Sequence, residues 1–125
     1  MRRTEIAYSS SELSKKERVA IKNATNLTKL DKSTANGAHL VIVPKSYVIL
    51  AIENDEATDE KSRNYKKIII TDVNGERYTT GSQTFIGRFC DIFEEMEGEE
   101  FELDVYSAES KKYEGKFFIT CDLIG

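Results

Sequence analysis

At 125 residues, with 39% hydrophobic positions, six Tyr, six Phe, seven Gly and one Pro, the chain has apolar material for one core and too little low-complexity sequence for general disorder. Its formal net charge of −4 sets it apart from strongly basic chains whose charge alone points to nucleic acid, but the sum hides an asymmetry: residues 1–50 carry nine Lys/Arg against four Asp/Glu, and residues 51–125 nine against eighteen. The longest strongly apolar stretch, Tyr47 to Ile52, is far shorter than the roughly 20 residues that cross a bilayer, and no apolar segment follows Met1-Arg2-Arg3-Thr4-Glu5, so the expectation is no membrane partner, no export and a cytoplasmic location.

The first ten residues are polar and show no period. From Ser11 a helical pattern opens, with Ser9, Ser10 or Ser11 as candidate N-caps and with Leu13, Glu17, Ala20, Ala24 and Leu27 recurring at three- and four-residue steps. The apolar stripe is thin, which predicts a helix docked weakly on the rest of the chain. Asn36-Gly37 then marks a turn. Residues 1–36 thus read as a basic helical extension, and residues 37–125 as the main domain.

From His39 the period shortens. His39 to Val43 and Ser46 to Ile52 are β-branched and aromatic runs split by Pro44, which has no N–H to give a central ladder, so they predict one bent or interrupted strand. Glu53 to Arg63 is charged and reads as a solvated loop. Tyr65 to Thr71 and Arg77 to Thr80 flank Asn74-Gly75, whose tolerance of positive φ makes this a hairpin.

Ser82 to Glu97 spaces Phe85, Phe89, Ile92, Phe93 and Met96 as the buried face of an amphipathic helix, with Ser82 as its cap and Gly98 as its stop. Phe101 to Tyr106 and Lys116 to Leu123 alternate as two closing strands around the polar loop Ser107 to Gly115. Cys90 and Cys121 fall on these elements beside apolar neighbours, as reduced core thiols do.

Beyond the extension, the order is strand, strand, strand, helix, strand, strand. An OB-like five-stranded Greek-key barrel with a helix between strands 3 and 4 fits that count and the bent first strand; an open antiparallel sheet with one packed helix is the rival.

No catalytic constellation accompanies this order. His39 is the only histidine and starts an apolar run, two separated cysteines do not make a metal site, no glycine-rich phosphate cradle occurs, and the carboxylate pairs Glu94-Glu95 and Glu99-Glu100 look like a solvated helix end. Neither enzymatic activity nor a cofactor or metal is expected.

Binding to single strands demands less: cations along the phosphates and flat rings for the bases. Tyr65, Lys66, Lys67, Arg77 and Tyr78 supply both on the hairpin, and Lys111, Lys112, Tyr113, Lys116 and Phe118 do so around the last loop. In an OB barrel both clusters would flank the ligand path. The competing role for Tyr65, Tyr78 and Phe118 is to cover the core. Strand parity puts Phe118 opposite Phe117, Ile119, Cys121 and Leu123, so it faces either solvent or a covering element.

The segments Arg77-Tyr78-Thr79-Thr80-Gly81-Ser82-Gln83-Thr84-Phe85-Ile86, Phe89-Cys90-Asp91-Ile92-Phe93 and Ser110-Lys111-Lys112-Tyr113-Glu114-Gly115-Lys116-Phe117-Phe118-Ile119-Thr120-Cys121-Asp122-Leu123 resemble the small single-stranded-DNA-binding proteins of phages that infect Gram-positive bacteria. The resemblance covers about half of the chain, residues 65–125. It implies an OB-like fold, non-enzymatic coating and protection of single-stranded DNA during phage replication or recombination, and the host cytoplasm as the compartment. It nominates Lys111, Lys112 and Lys116 as phosphate contacts and gives Ser82, Phe85, Phe89, Ile92 and Cys121 architectural roles. Lys116 stands where these proteins often carry Arg, which keeps the charge but loses the planar fork.

Asp91 to Asp104 holds eight acids and no base. That run opens a different reading, a protein-binding module or DNA-mimicking inhibitor of a basic partner, and it is equally the place where a DNA binder would recruit replication or recombination proteins. Self-association stays open.

Overall fold

The computed structural model describes residues 2–22, 27–54, 64–97, 99–109 and 117–124. The chain is mainly β. In chain order the elements are β1 (Arg2–Ser9), α1 (Lys15–Lys22), β2 (Thr28–Lys29), α2 (Leu30–Ser33), a 3-10 turn (Ala35–Gly37), β3 (Leu40–Ile42), β4 (Pro44–Asn54), β5 (Asn64–Asp72), β6 (Arg77–Thr80), α3 (Gln83–Glu95), β7 (Glu102–Glu109) and β8 (Phe117–Ile124). They build a five-stranded sheet, β1-β4-β5-β6-β2, and a three-stranded sheet, β3-β7-β8.

The bent strand expected around Pro44 is what joins the two sheets. β3 pairs antiparallel with β7, while β4, one residue further on, pairs with β1 and β5. Pro44 gives no hydrogen to either ladder. The carbonyl of Val43 at the bend accepts from the Val73 N–H at 3.0 Å.

A closed five-stranded barrel, the sequence expectation, is not formed among the described residues. The free side of β6 takes the short parallel strand β2, through Thr28 opposite Tyr78 and Lys29 opposite Thr79. Beside β8 lies α3: Ser82 Oγ donates to the Ile119 carbonyl at 3.5 Å and Arg88 Nε to the Cys121 carbonyl at 3.2 Å. Carbonyls that a closing strand would need are thus already bonded to the helix.

Residues 2–9, polar and without period in the sequence, form β1, so the N-terminal extension is not purely helical. Their main-chain pairing with β4 rather than an apolar pattern makes the strand, and its register shifts between Ile6 and Tyr8. The bulge turns these two side chains to opposite faces: Ile6 packs with Val48, Leu50, Ile52 and Ile69, and Tyr8 lies 5.7 Å from the Tyr47 ring on the other side.

Helix α1 begins at Lys15, later than the serines at 9–11 suggested. Ser14 and Glu17 make a capping box, Glu17 N–H donating to Ser14 Oγ at 3.2 Å and Ser14 N–H to Glu17 Oε1 at 3.3 Å. Ser10 instead accepts from the Tyr47 N–H at 2.8 Å, which ties the segment before the helix to β4. Leu13, Ile21 and Leu27 cover the outer face of the five-stranded sheet without becoming fully buried, as the thin stripe predicts.

The main core lies between the two sheets and α3. Leu30, Ile42, Ile68, Ile70, Phe85, Phe89, Leu103, Val105 and Cys121 are at most 2% exposed. Ser82 caps α3 as expected, its Oγ accepting from the Phe85 N–H at 3.3 Å. The hairpin forms at Asn74-Gly75, with Gly75 at φ 87° and Asp72 Oδ1 accepting from the Asn74 and Glu76 N–H groups, each at 2.9 Å. Both cysteines are free thiols, and burial pushes that of Cys121 up to about 12.

Candidate nucleic-acid interface

The three-stranded sheet has one covered and one open face. Leu103, Val105, Ile119 and Cys121 point into the core, so alternation turns Asp104, Tyr106 and Ala108 of β7, and Phe118, Thr120 and Asp122 of β8, outward. The register sets Tyr106 opposite Thr120 and Ala108 opposite Phe118. Tyr106 and Phe118 are therefore diagonal neighbours on the outer face, within reach of each other's rings.

His39, just before β3, extends the row. Its ring stacks on Tyr106 with centroids 5.1 Å apart and planes inclined by 24°. Its Nδ1 lies 3.0 and 3.1 Å from the two carboxylate oxygens of Asp104. The side chain of His39 stays 58% exposed.

The second carboxylate of this face is also engaged. Tyr106 donates its hydroxyl hydrogen to Asp122 Oδ2 at 2.5 Å, and Arg88 Nη2 donates to Asp122 Oδ1 at 3.1 Å. The Tyr106 bond, then that of Arg88, holds the Asp122 carboxyl below its ordinary value, while the same bond and partial burial raise the Tyr106 phenol. With both carboxylates tied to ring or guanidinium donors, the face offers flat rings flanked by a cation.

A depressed carboxyl value stabilises the fold at pH above the unfolded value of about 3.9, and that contribution disappears as pH falls through the folded value. Tyr106→Phe removes the largest cause. The Asp122 carboxyl should then titrate at higher pH, which carbon-detected NMR of the side chain reads directly; an unchanged midpoint would contradict the role given to this hydrogen bond.

The residues nominated from sequence fall in different places. Tyr65, Lys67 and Arg77 share the face of β5 and β6 that bears Ile69 and Thr79, where Tyr65 packs on the cluster beneath α1. Lys67 and Arg77 are half-buried there. Tyr78 faces the other way, against the main core, with its hydroxyl 3.4 Å from Asp72 Oδ2. Lys111, Lys112, Tyr113 and Lys116 lie outside the described residues. Of the nominated residues that are described, Phe118 alone stands on the ring-bearing face of the three-stranded sheet.

Sequence reasoning missed Tyr106, His39 and Arg88. The strict alternation of β7 places Tyr106 with Glu102 and Asp104 and so marks a ring on a polar face. No local signal brings His39 to it, since that contact depends on β3 pairing with β7.

In the acidic run, Asp91, Glu94, Glu95, Glu97, Glu99, Glu100 and Glu102 are exposed. No group of three or more His, Cys, Asp or Glu able to hold a metal occurs among the described residues. No helix of the described residues is long and apolar enough to cross a membrane. Compared with protein-family models, curated proteins and solved structures, the chain matches none.

Proposed function

We propose that this chain binds single-stranded DNA without catalysis, laying the bases on the outer face of the β3-β7-β8 sheet. The observation that carries the reading is the row His39, Tyr106 and Phe118 on one open sheet face. Successive unpaired bases stack on such rings whatever their sequence, whereas paired bases hide their flat faces in the duplex. Between β7 and β8 the sequence carries Lys111, Lys112 and Lys116 close to Phe118, cations suited to the phosphates.

The resemblance of residues 65–125 to phage single-stranded-DNA-binding proteins supports the same ligand, and coating of displaced strands during replication or recombination as the task. The OB-like relationship is part of this proposal. One bent strand shared between β7 and β5 and a helix between β6 and β7 are features of that architecture, here in an opened form.

Fluorescence anisotropy with labelled oligo-dT and a matched duplex tests the reading. Tighter binding to the single strand is expected, weakening with salt at a log–log slope of about −0.7 per phosphate neutralised. Lys111→Ala with Lys112→Ala should lower affinity for all sequences alike and flatten that slope. Equal binding to duplex would contradict stacking. No binding at low salt would favour the second reading, a module for a basic protein partner, for which the exposed acids from Asp91 to Glu102 speak.

A further inference from the structure

α3 and the β1–β4 edge, none of it part of the three-stranded sheet, leave a cleft of about 550 Å³ between them. Tyr8, Tyr47, Ile49 and Phe93 form its walls, and Glu94 and Glu97 stand on its rim. A hollow of about 230 Å³ adjoins it, sharing Phe93 and Glu97 and adding Glu99, Glu100 and one cation, Lys45. Tyr8 is left 54% exposed there because the bulge in β1 turns it away from the cluster beneath α1. A largely apolar cleft with glutamates on its α3 side fits a short basic helix with an apolar centre, and those glutamates repel a phosphate backbone.

The chain itself presents such a helix. Lys15, Arg18, Val19 and Lys22 of α1 recur at the spacing of one helical face, and all four are exposed, Val19 at 60%. No ion pair among the described residues engages these three cations. The other side of α1 is directed to its own sheet, where Ile21, with Leu13 just before the helix, packs near Val48 and Leu50. Because α1 covers one face of β4 and the cleft opens on the other, a copy cannot fill its own cleft.

We propose that the cleft receives the Lys15–Arg18–Val19–Lys22 face of α1 from a second copy of this chain. The contact is head to tail, with different surfaces on the two copies, so it propagates instead of closing as a two-fold dimer does. An eight-residue helix covers much less area than a standard stable interface, so free copies associate weakly. Copies held on one strand gain from effective concentration and bind cooperatively.

The association does not rest on the DNA reading and is measured without nucleic acid, by sedimentation of the full chain at increasing concentration in low salt. The parent should show an average mass that rises with concentration and returns to monomer as salt is added. Glu94→Lys with Glu97→Lys, and separately Lys15→Glu with Arg18→Glu, should each be monomeric. Mixed in equal amounts the two variants should associate again, since each supplies the charge the other lost. Melting curves verify that the variants are folded, and the neutral pairs Glu94→Gln/Glu97→Gln and Lys15→Gln/Arg18→Gln, each expected to weaken association, replace either variant that is not. A parent that stays monomeric throughout, association that survives either charge reversal, or a mixture that stays monomeric overturns the proposal. Oligo-dT binding by a strictly monomeric chain would refute this contact and leave the DNA reading standing.

Discussion

Phe89→Ala is expected to cost about 3–5 kcal/mol of folding stability, the loss typical of a large ring truncated in a closed core. Phe89 is 0% exposed and sits at the centre of an aromatic group. Its ring meets Tyr47 edge-on at 5.2 Å and neighbours Phe85 at 5.8 Å and Phe93 at 5.7 Å. Phe85 and Phe89 lie one turn apart on α3, so both anchor the helix to the two sheets, and the space left by a missing ring has walls held by strand pairing. Against a typical total of about 5–15 kcal/mol, that is a large fraction of the whole stability. Urea denaturation followed by far-UV circular dichroism measures the change. A loss below about 1 kcal/mol would mean that α3 is not packed as described.

The second large effect concerns binding. Tyr106→Ala and Phe118→Ala should each weaken the complex with oligo-dT by about 1–3 kcal/mol, the usual worth of a base stacked on a ring. Every 1.4 kcal/mol is about tenfold in affinity, so the pair together should be lowered by about thirtyfold or more. The salt slope should stay nearly constant, because no phosphate contact is removed. Both rings project from the outer sheet face and are only half-buried, so their loss opens no closed cavity and the variants should remain folded. Tyr106→Ala also releases Asp122 from its hydroxyl partner. Tyr106→Phe, which keeps a ring, separates the two roles: it should retain affinity if stacking is what the residue supplies.

Local chemistry was legible wherever a signal is contained in a few residues. The Asn74-Gly75 hairpin, the Ser82 cap, the aromatic face of α3 and the outward direction of Phe118 all follow from short-range rules, and the structure has each of them. Features that depend on partners distant in sequence were not legible. β1 is polar and becomes a strand because β4 offers it a ladder. Tyr78 reads from the sequence either as a ligand-facing ring or as core cover, and only its pairing with Ile70 decides that it turns toward the core. The Pro44 bend was visible, but whether the two halves of the strand close one barrel or serve two sheets depends on what lies beside β6 and β8, and β2 and α3 occupy those places. The ring row was half visible for the same reason, since Phe118 and Tyr106 follow from alternation while His39 joins them only through β3 and β7.

Titrating oligo-dT into the ¹⁵N-labelled protein and following amide and aromatic NMR shifts tests the central claim most directly. Shifts concentrated at His39, at Tyr106 and its β7 neighbours, and at Phe118 to Asp122, with the β5–β6 hairpin little changed, are the result predicted here. Saturable shifts centred on Tyr65, Lys67 and Arg77, or a spectrum unaltered at saturating oligonucleotide, would contradict it.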